Sequence, residues 1–441
     1  MIENSKTYKP EEETKSAIGD VSAVPQKRTR IAFDSKNHLY FSHKRLVTGS
    51  DWLVSHKEKG MSYPSYERSG RNLVTARRRT IYILPLDYNF EEGLLDIVKR
   101  FVEVYYTGMQ VKIMKTTPIH KLGAKYRETP YGNQYLVGNV LAKVKPMVPE
   151  DGYCMLGITN EDIYPGERWN YVFGWAEYFS RVGVFSFARF DPQFYTRGAK
   201  RAKSDFYKTE ISKEEEEDEK ATDVSERSKN RTLSVEAVHD EMMAKALHLM
   251  ELKKGNAEDE TAEGGKWIGE AKNEEEKEEA VAMGCPVRLH PLARSEWVSR
   301  LEQKHPEEVF LKRVIRVMIH EIGHMYNCLH CPYYECLMNG FNSAEECDRV
   351  PYQLCPVCLR KLQSNLQFDV IERYKALAVE CKKLGRMFAY DTYWYENRAQ
   401  MLEAQLTTKQ EREPLVRTFV STRSDARHSV GRTTQPQARP P

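Results

Sequence analysis

Apolar positions along the chain fall into blocks whose spacing changes character several times. The run Thr80-Ile81-Tyr82-Ile83-Leu84-Pro85-Leu86 is short, continuous and rich in β-branched residues, which predicts a buried strand. Over 91–106, Leu94, Leu95, Val98, Phe101, Val102 and Tyr105 recur at three- and four-residue steps, the spacing of an amphipathic helix, and Gly108 suits its C-terminal cap. Val111-Lys112-Ile113-Met114 then reads as a second strand. A strand–helix–strand order makes the sheet at least partly parallel. Further strands are expected at 135–144, 153–159 and 182–190, the last alternating bulky aromatics with smaller residues and suiting a sheet edge.

Helical spacing returns near the C-terminus. Residues 306–326 read as a helix, with Pro306, Glu307 and Glu308 in a favourable first turn and Phe310, Val314, Val317, Met318, Ile322 and Met325 as its apolar stripe. Leu366, Val370, Tyr374, Leu377, Cys381 and Leu384 predict a long amphipathic helix ending at Gly385, and another is expected over about 391–406. Between the two blocks the pattern breaks. Lys213–Lys220 and Glu274–Glu279 are charge runs, so residues 200–280 are expected to be a disordered surface insertion holding at most a short helix over 234–252. Residues 1–79, including the Arg-rich stretch Arg68–Arg79, are expected to be mostly disordered, as is the aperiodic tail 407–441. One domain over 80–406, interrupted at about 200–280, remains.

Composition supports that division. The chain of 441 residues is 30% charged, and its mean hydropathy of -0.66 is low for a compact protein of that length. A net charge of +3 makes no global case for nucleic acid or a membrane surface. No stretch approaches the roughly 20 apolar residues of a membrane span. The N-terminus lacks both an apolar core segment and an Arg-rich, acid-poor character, so the expected location is cytoplasmic, with the nucleus also open. Nine cysteines are present, six of them between Cys328 and Cys358, and in such a chain a cluster reads as metal ligands before disulfides.

The chemistry concentrates beside that cluster. His320 and His324 stand four residues apart on the expected helix, so both imidazoles leave one face and can share a metal ion, with Glu321 within reach of a metal-bound water. The pair alone is not specific. His330, six residues after His324, sits where the chain can leave the helix, turn back and offer a third imidazole, the metzincin arrangement. That turn usually carries glycine three residues after the second histidine; here the residue is Asn327, the next most tolerant of left-handed backbone geometry. Three imidazoles on zinc leave a coordination position for water and lower its pKa from about 15.7 towards roughly 7. Glu321 would then be the general base, passing the proton on to the leaving amine.

Cys331 follows the third histidine directly and opens the series Cys331, Cys336, Cys355, Cys358. Two cysteine pairs closed by a Cys-Pro-Val-Cys hairpin indicate a four-thiolate structural zinc, so two zinc ions per chain are expected. Such a clamp would also hold the backbone beside His330. Cys328 and Cys347 are left as spare thiols or alternative ligands, and Asp348 as a turn residue or a partner of a ligand.

His320-Glu-Ile-Gly-His-Met-Tyr-Asn-Cys-Leu-His-Cys331, then Cys336-Leu337-Met338, then Cys355-Pro356-Val357-Cys358, resembles the archaemetzincins. The stretches Ile81–Leu86, Trp169–Gly174 and Gly183–Arg189 are also similar, so the likeness spans about 80–195 and 284–365. The resemblance implies an α+β fold with an α/β-like N-terminal part, in which a twisted mixed sheet packs on helices that include the active-site helix. A small zinc-clamped helical C-terminal part, 331–360, carries the four cysteines. It implies His320, His324 and His330 as catalytic zinc ligands, Glu321 as base, Cys331, Cys336, Cys355 and Cys358 on the structural zinc, and Met338 as an apolar floor beneath the catalytic metal. It also implies a zinc metallopeptidase, with aminopeptidase-like activity in some members, acting on a peptide or protein substrate. In metzincins an edge strand above the active-site helix pairs with the substrate backbone, and 183–189 is the candidate here. The competing class is a catalytically weak zinc protein that binds partners through the cysteine cluster and the charged insertion. A nucleic-acid-binding zinc module is disfavoured, because the cluster has few basic residues beyond Arg349, Arg360 and Lys361.

Overall fold

A computed structural model of the chain describes residues 7–34, 41–88, 90, 92–196, 198 and 291–407. The expected insertion over 200–280, the helix considered at 234–252 and the tail from 408 onward lie outside the described residues.

Four short helices come first, α1 (Glu11–Ala17), α2 (Lys27–Arg30), α3 (Trp52–Ser55) and α4 (Tyr63–Arg68). The expected strand–helix–strand unit follows as β1 (Thr80–Pro85), α5 (Glu92–Tyr105) and β2 (Gln110–Ile113). Next come β3 (Tyr126–Thr129), β4 (Gly132–Leu136), α6 (Val137–Val144), β5 (Gly152–Thr159), β6 (Asp162–Tyr164), β7 (Gly174–Glu177) and β8 (Val182–Ser186). The C-terminal half is helical: α7 (Pro291–Lys304), α8 (Pro306–Met325), α9 (Ala344–Arg349), α10 (Pro356–Leu366), α11 (Val370–Lys383) and α12 (Ala389–Thr407). Among the described residues no helix is long and apolar enough to cross a membrane.

The main sheet has the order β2-β1-β5-β8-β7 and is parallel except for β7, which pairs antiparallel with β8. A smaller sheet, β3-β4-β6, adjoins it. β1 and β5 are buried along their whole length, as strands covered on both faces must be. Alternation assigns the faces. Ile81, Ile83, Leu156 and Ile158 join the large core with α5 and α8, whereas Tyr82, Leu84 and Met155 join a second core with Val140, Leu141 and Val144 of α6. The fold is therefore α+β, a mixed sheet packed on helices.

Five expectations need correction, four of them local. The strand placed at 135–144 is β4 followed by α6: Val137, Val140, Leu141 and Val144 repeat at helical steps, and that periodicity outweighs the β-branched character of the three valines. The 182–190 strand ends at Ser186, and a 3-10 turn covers Ala188–Phe190. Nor is it an edge, because β8 lies between β5 and β7 and the edge belongs to β7. The helix expected through Leu366 to Leu384 is two, since Gln367 takes a left-handed conformation at φ 58° and Asp369 caps α11.

The largest correction concerns the N-terminal segment, which was expected to be mostly disordered. Ala17, Ile18, Ala32, Phe33 and Phe41 are buried in the main core. Arg360 donates to Ile18 O and Asp20 O, each at 2.6 Å, and Arg28 meets Asp369 at 2.7 Å and Glu372 at 2.6 Å. These helices have four to seven residues, too short to persist alone; α4 docks on α10, α2 on α11, and the first N–H of α3 is taken by Glu346 of α9.

Candidate metal centre and catalytic site

Helix α8, which carries His320 and His324, is buried almost throughout, unlike an ordinary amphipathic surface helix. Its C-terminal half is locked by tyrosines that reach its backbone from other elements. Tyr106 donates to Ile319 O, Tyr153 to Met325 O at 3.4 Å and Tyr66 to Tyr326 O at 3.0 Å. The rings of Tyr106 and Tyr153 stack on either side of this arrangement against Tyr326. Arg313, at the other end, is paired with Asp348 at 2.7 Å, which accounts for Asp348 as an ion-pair partner rather than a contact of a histidine. Cys347 lies beside Arg316, away from the other thiols.

His320, His324 and His330 converge so that one ring nitrogen from each lies within 4.8 Å of the others. Their Nδ1 atoms are engaged elsewhere: His320 with Leu337 O at 2.8 Å, His324 with Cys328 O at 2.7 Å and His330 with Glu58 Oε1 at 2.9 Å. With Nδ1 protonated and donating in each ring, Nε2 is the free lone pair. Burial, and then the neighbouring His330, push His320 down to about 3, so the pair on the helix is neutral as metal ligands must be. Glu321 is pushed up to about 8 by burial, and its Oε2 is buried without a hydrogen-bond partner. A buried carboxylate oxygen with no partner among the described residues, next in sequence to one of three convergent imidazoles, suits a site for a metal ion and its bound water.

Asn327 has φ 61°, the left-handed conformation the turn demands. Its side chain also does something glycine would not. Oδ1 accepts from Asn72 N at 2.7 Å, and Asn72 Nδ2 donates to Tyr178 O, also at 2.7 Å. Tyr178 in turn sets its ring edge-on to His324 at 5.6 Å. Asn327→Gly should therefore keep the turn and lose about 1 kcal/mol from the missing hydrogen bond, whereas Asn327→Val, β-branched at positive φ, should cost ~2 kcal/mol or more. Urea unfolding of the two variants checks the ranking.

The four cysteines form the second cluster. The sulfurs of Cys331, Cys336, Cys355 and Cys358 lie within 4.8 Å of one another and all four residues are buried. No disulfide joins any of the described cysteines. Cys355 N and Cys358 N point at Cys336 Sγ and Cys355 Sγ, the direction that favours thiolates. Lys361, buried beside Cys358 and Cys328, supplies a cation against them. This donor set fits a tetrahedral zinc.

The two clusters share one turn. Cys331 N donates to Met338 O at 2.7 Å, Asn339 Nδ2 donates to Cys331 O at 2.6 Å, and Leu337 O, between Cys336 and Met338, accepts from His320. Met338 itself is buried against Gly323, where an added Cβ would meet its sulfur at 2.6 Å. Cys328 serves through its carbonyl and not its thiol.

A cleft of about 1150 Å³ opens over the histidines. Its walls include Trp52, His56, Trp169, Phe173, Trp175, Tyr178 and Phe341. β7 passes over the helix so closely that a Cβ on Gly174 would lie 2.5 Å from Glu321 Oε1. The sequence pointed to neither Trp52, His56 and Glu58 nor β7. Nothing local marks the first three, because they come from a segment with no periodicity, and β7 has only four residues.

Residues 295–364 match the family model described as peptidase family M54. The chain is 29% identical to Archaemetzincin-2 of Rattus norvegicus over 367 residues, covering 81% of this chain and 79% of that protein. The chain is thus similar to the archaemetzincins, a family of zinc metallopeptidases. Archaemetzincin-2 of Homo sapiens is 27% identical over the same 81% of the chain and 79% of its own length. Among solved structures, the archaemetzincin of Methanopyrus kandleri is 19% identical, with 67% of this chain and 99% of that chain covered and a TM-score of 0.33. The family model spans α8 and the four-cysteine cluster together, and stops short of the sheet and of the N-terminal segment.

Proposed function

We propose that the chain hydrolyses peptide bonds at the three-histidine site, with Glu321 as general base and a second zinc on Cys331, Cys336, Cys355 and Cys358. The observation that carries this reading is Glu321 Oε2, buried and unpartnered beside the convergent imidazoles. His320, His324 and His330 would hold a zinc ion, which when bound would supply Lewis-acid polarisation of the scissile carbonyl and a more acidic water. Glu321 removes the proton of the attacking water and returns it to the departing amine. Its apolar, buried setting keeps the protonated form accessible for that second transfer.

β7 is placed to receive the substrate. Among the described residues it pairs on one side only, and Gly174, with no Cβ, lets its backbone lie directly against the Glu321 carboxyl. A peptide added antiparallel to β7 would pair through main-chain hydrogen bonds while its side chains met Trp175 and Tyr178. Gly174→Ala should push the base out of line and lower kcat by about 100-fold with little change in folding stability, since a misplacement near 1 Å can cost that much. Steady-state kinetics together with thermal unfolding tests it. Aminopeptidase-like cleavage is the mode suggested by resemblance to the family, and a peptide library scored for N-terminal against internal cleavage decides it. The reading as a catalytically weak, partner-binding zinc protein drew on Asn327 and on the charged insertion. Asn327 satisfies the turn it occupies, and the insertion lies outside the described residues. A purified protein with both zincs that cleaves nothing in the library would favour that reading instead.

A further inference from the structure

The three histidines are not held alike. His320 and His324 donate to neutral backbone carbonyls from their own neighbourhood, whereas His330 faces a carboxylate 272 residues away in sequence. We infer that Glu58, delivered by the N-terminal segment, is a positioning residue for the third zinc ligand, and that this segment completes the catalytic site. The inference rests on the reading of the three histidines as the zinc site.

The carboxylate is set by several contacts at once. Glu58 Oε1 accepts from His330 Nδ1 at 2.9 Å and from Trp52 Nε1 at 3.0 Å. Trp52 cannot turn away freely, because its ring stacks on His56 at 3.7 Å and meets His330 edge-on at 5.2 Å. Its backbone N–H is taken by Glu346 at 2.9 Å, and Glu346 is itself held by Asn342 N, which donates to it at 2.8 Å. The main chain after Glu58 is registered just as closely. Gly60 has φ 73°, and a Cβ there would fall 2.5 Å from Pro332 Cδ, two residues past His330. Only glycine fits both the conformation and the gap. Before Glu58, Lys44 N donates to Tyr333 O at 3.1 Å and Glu335 N donates to Ser42 O at 2.8 Å, a short antiparallel bridge centred on His43 and Tyr334. The segment thus crosses residues 330–335 twice, with Glu58 at the crossing that meets the imidazole.

A carboxylate accepting from Nδ1–H does two things that a carbonyl does less well. It fixes the tautomer that leaves Nε2 for the metal, and it raises the electron density on that nitrogen, strengthening the ligand. His330 needs this most, because it stands on a turn beyond the end of α8 and lacks the helix that aims the other two. The four-cysteine cluster anchors its C-terminal side through Cys331; Glu58 anchors the ring itself.

The test uses the full chain. Zinc affinity at each site is measured by competition with a chelator for wild type, Glu58→Ala, Glu58→Gln and Gly60→Ala, and Co2+ loaded at the histidines reports the coordination geometry by its visible absorption. Glu58→Ala should weaken the histidine-site zinc about 10–100-fold and leave the cysteine-site zinc unchanged. Glu58→Gln keeps an acceptor oxygen without the charge and should fall between. Gly60→Ala, which retains the carboxylate but displaces its backbone, should give an altered Co2+ spectrum. Equal affinity and an unchanged spectrum in both Glu58 variants would overturn the inference. If Glu58→Ala does not fold, the isosteric Glu58→Gln decides alone, with an affinity within twofold of wild type counting against the proposal. His324→Ala separates the two levels. Should it retain both zincs, the three-histidine reading fails; should it lose one while the Glu58 variants lose none, only the role of Glu58 fails.

Discussion

Glu321→Ala is expected to abolish peptide hydrolysis, by roughly two to four orders of magnitude in kcat, while keeping both zinc ions. The side chain makes no hydrogen bond that shapes the site: its Oε2 is unpartnered, and Oε1 lies under Gly174. Removing it deletes the proton carrier and leaves His320 and His324 on their helix, each still tied through Nδ1 to a backbone carbonyl. The variant should also be somewhat more thermostable, since an unpaired buried carboxylate is costly to keep. The same burial sets a pH dependence in protein lacking metal at the histidines. The folded-state carboxyl titrates at about 8 against an ordinary 4.5, so the folded state binds the proton more tightly than the unfolded chain does. Stability is then lost as pH rises from about 4.5 through about 8, and Glu321→Gln should show a flatter profile over that window. Parallel measurements of kcat, zinc per chain and unfolding midpoint test the set. Wild-type turnover in Glu321→Ala would remove Glu321 from the mechanism.

Cys355→Ser is expected to do more damage, and at both sites. A structural zinc contributes an apparent ~10–16 kcal/mol of binding free energy in small zinc-dependent folds, against a total stability of about 5–15 kcal/mol for an ordinary domain. The four sulfurs here are wholly buried, so losing one leaves three thiols in the interior without their ion. The turn from Cys336 to Asn339 is built on that cluster, and Leu337 O is the acceptor that orients His320. Loss of the cysteine zinc should therefore loosen the histidine site as well. The expected result is zero to one zinc per chain and no stable fold at 37 °C, in contrast to His324→Ala, which should lose one zinc and stay folded. Elemental analysis and thermal unfolding of the two variants distinguish this asymmetry from two independent sites. A Cys355→Ser protein holding a full histidine-site zinc and melting within a few degrees of wild type would show that the coupling through residues 336–339 is absent.

How much of this was legible in the chain differs from residue to residue. His320 and His324 were, because a step of four on a helix is itself a geometric statement. So were β1, α5 and β2, whose apolar spacing matches the structure closely. The left-handed turn at Asn327 could be inferred from its position, and its φ agrees. α6 was misread because valine-rich segments satisfy both a strand's composition and a helix's period, and a window of eight residues holds too few turns to decide.

Edges and docked segments are of another kind. Whether β7 or β8 is the edge depends on which strand finds a second partner, a fact of pairing that neither strand encodes alone. The N-terminal segment looks like a polar extension because its buried residues follow no period; they are spaced to fit grooves on α10–α12 and the turn at Pro332, surfaces that exist only once the rest has folded. Local spacing, in short-range elements where neighbours along the chain are neighbours in space, determined the candidate zinc ligands, the proposed base and the cysteine cluster. Tertiary contact decided what aims them: Glu58 on His330, Asn72 on the Asn327 turn and Gly174 over Glu321 each join residues more than a hundred positions apart, and at such separations no periodicity survives to announce the contact.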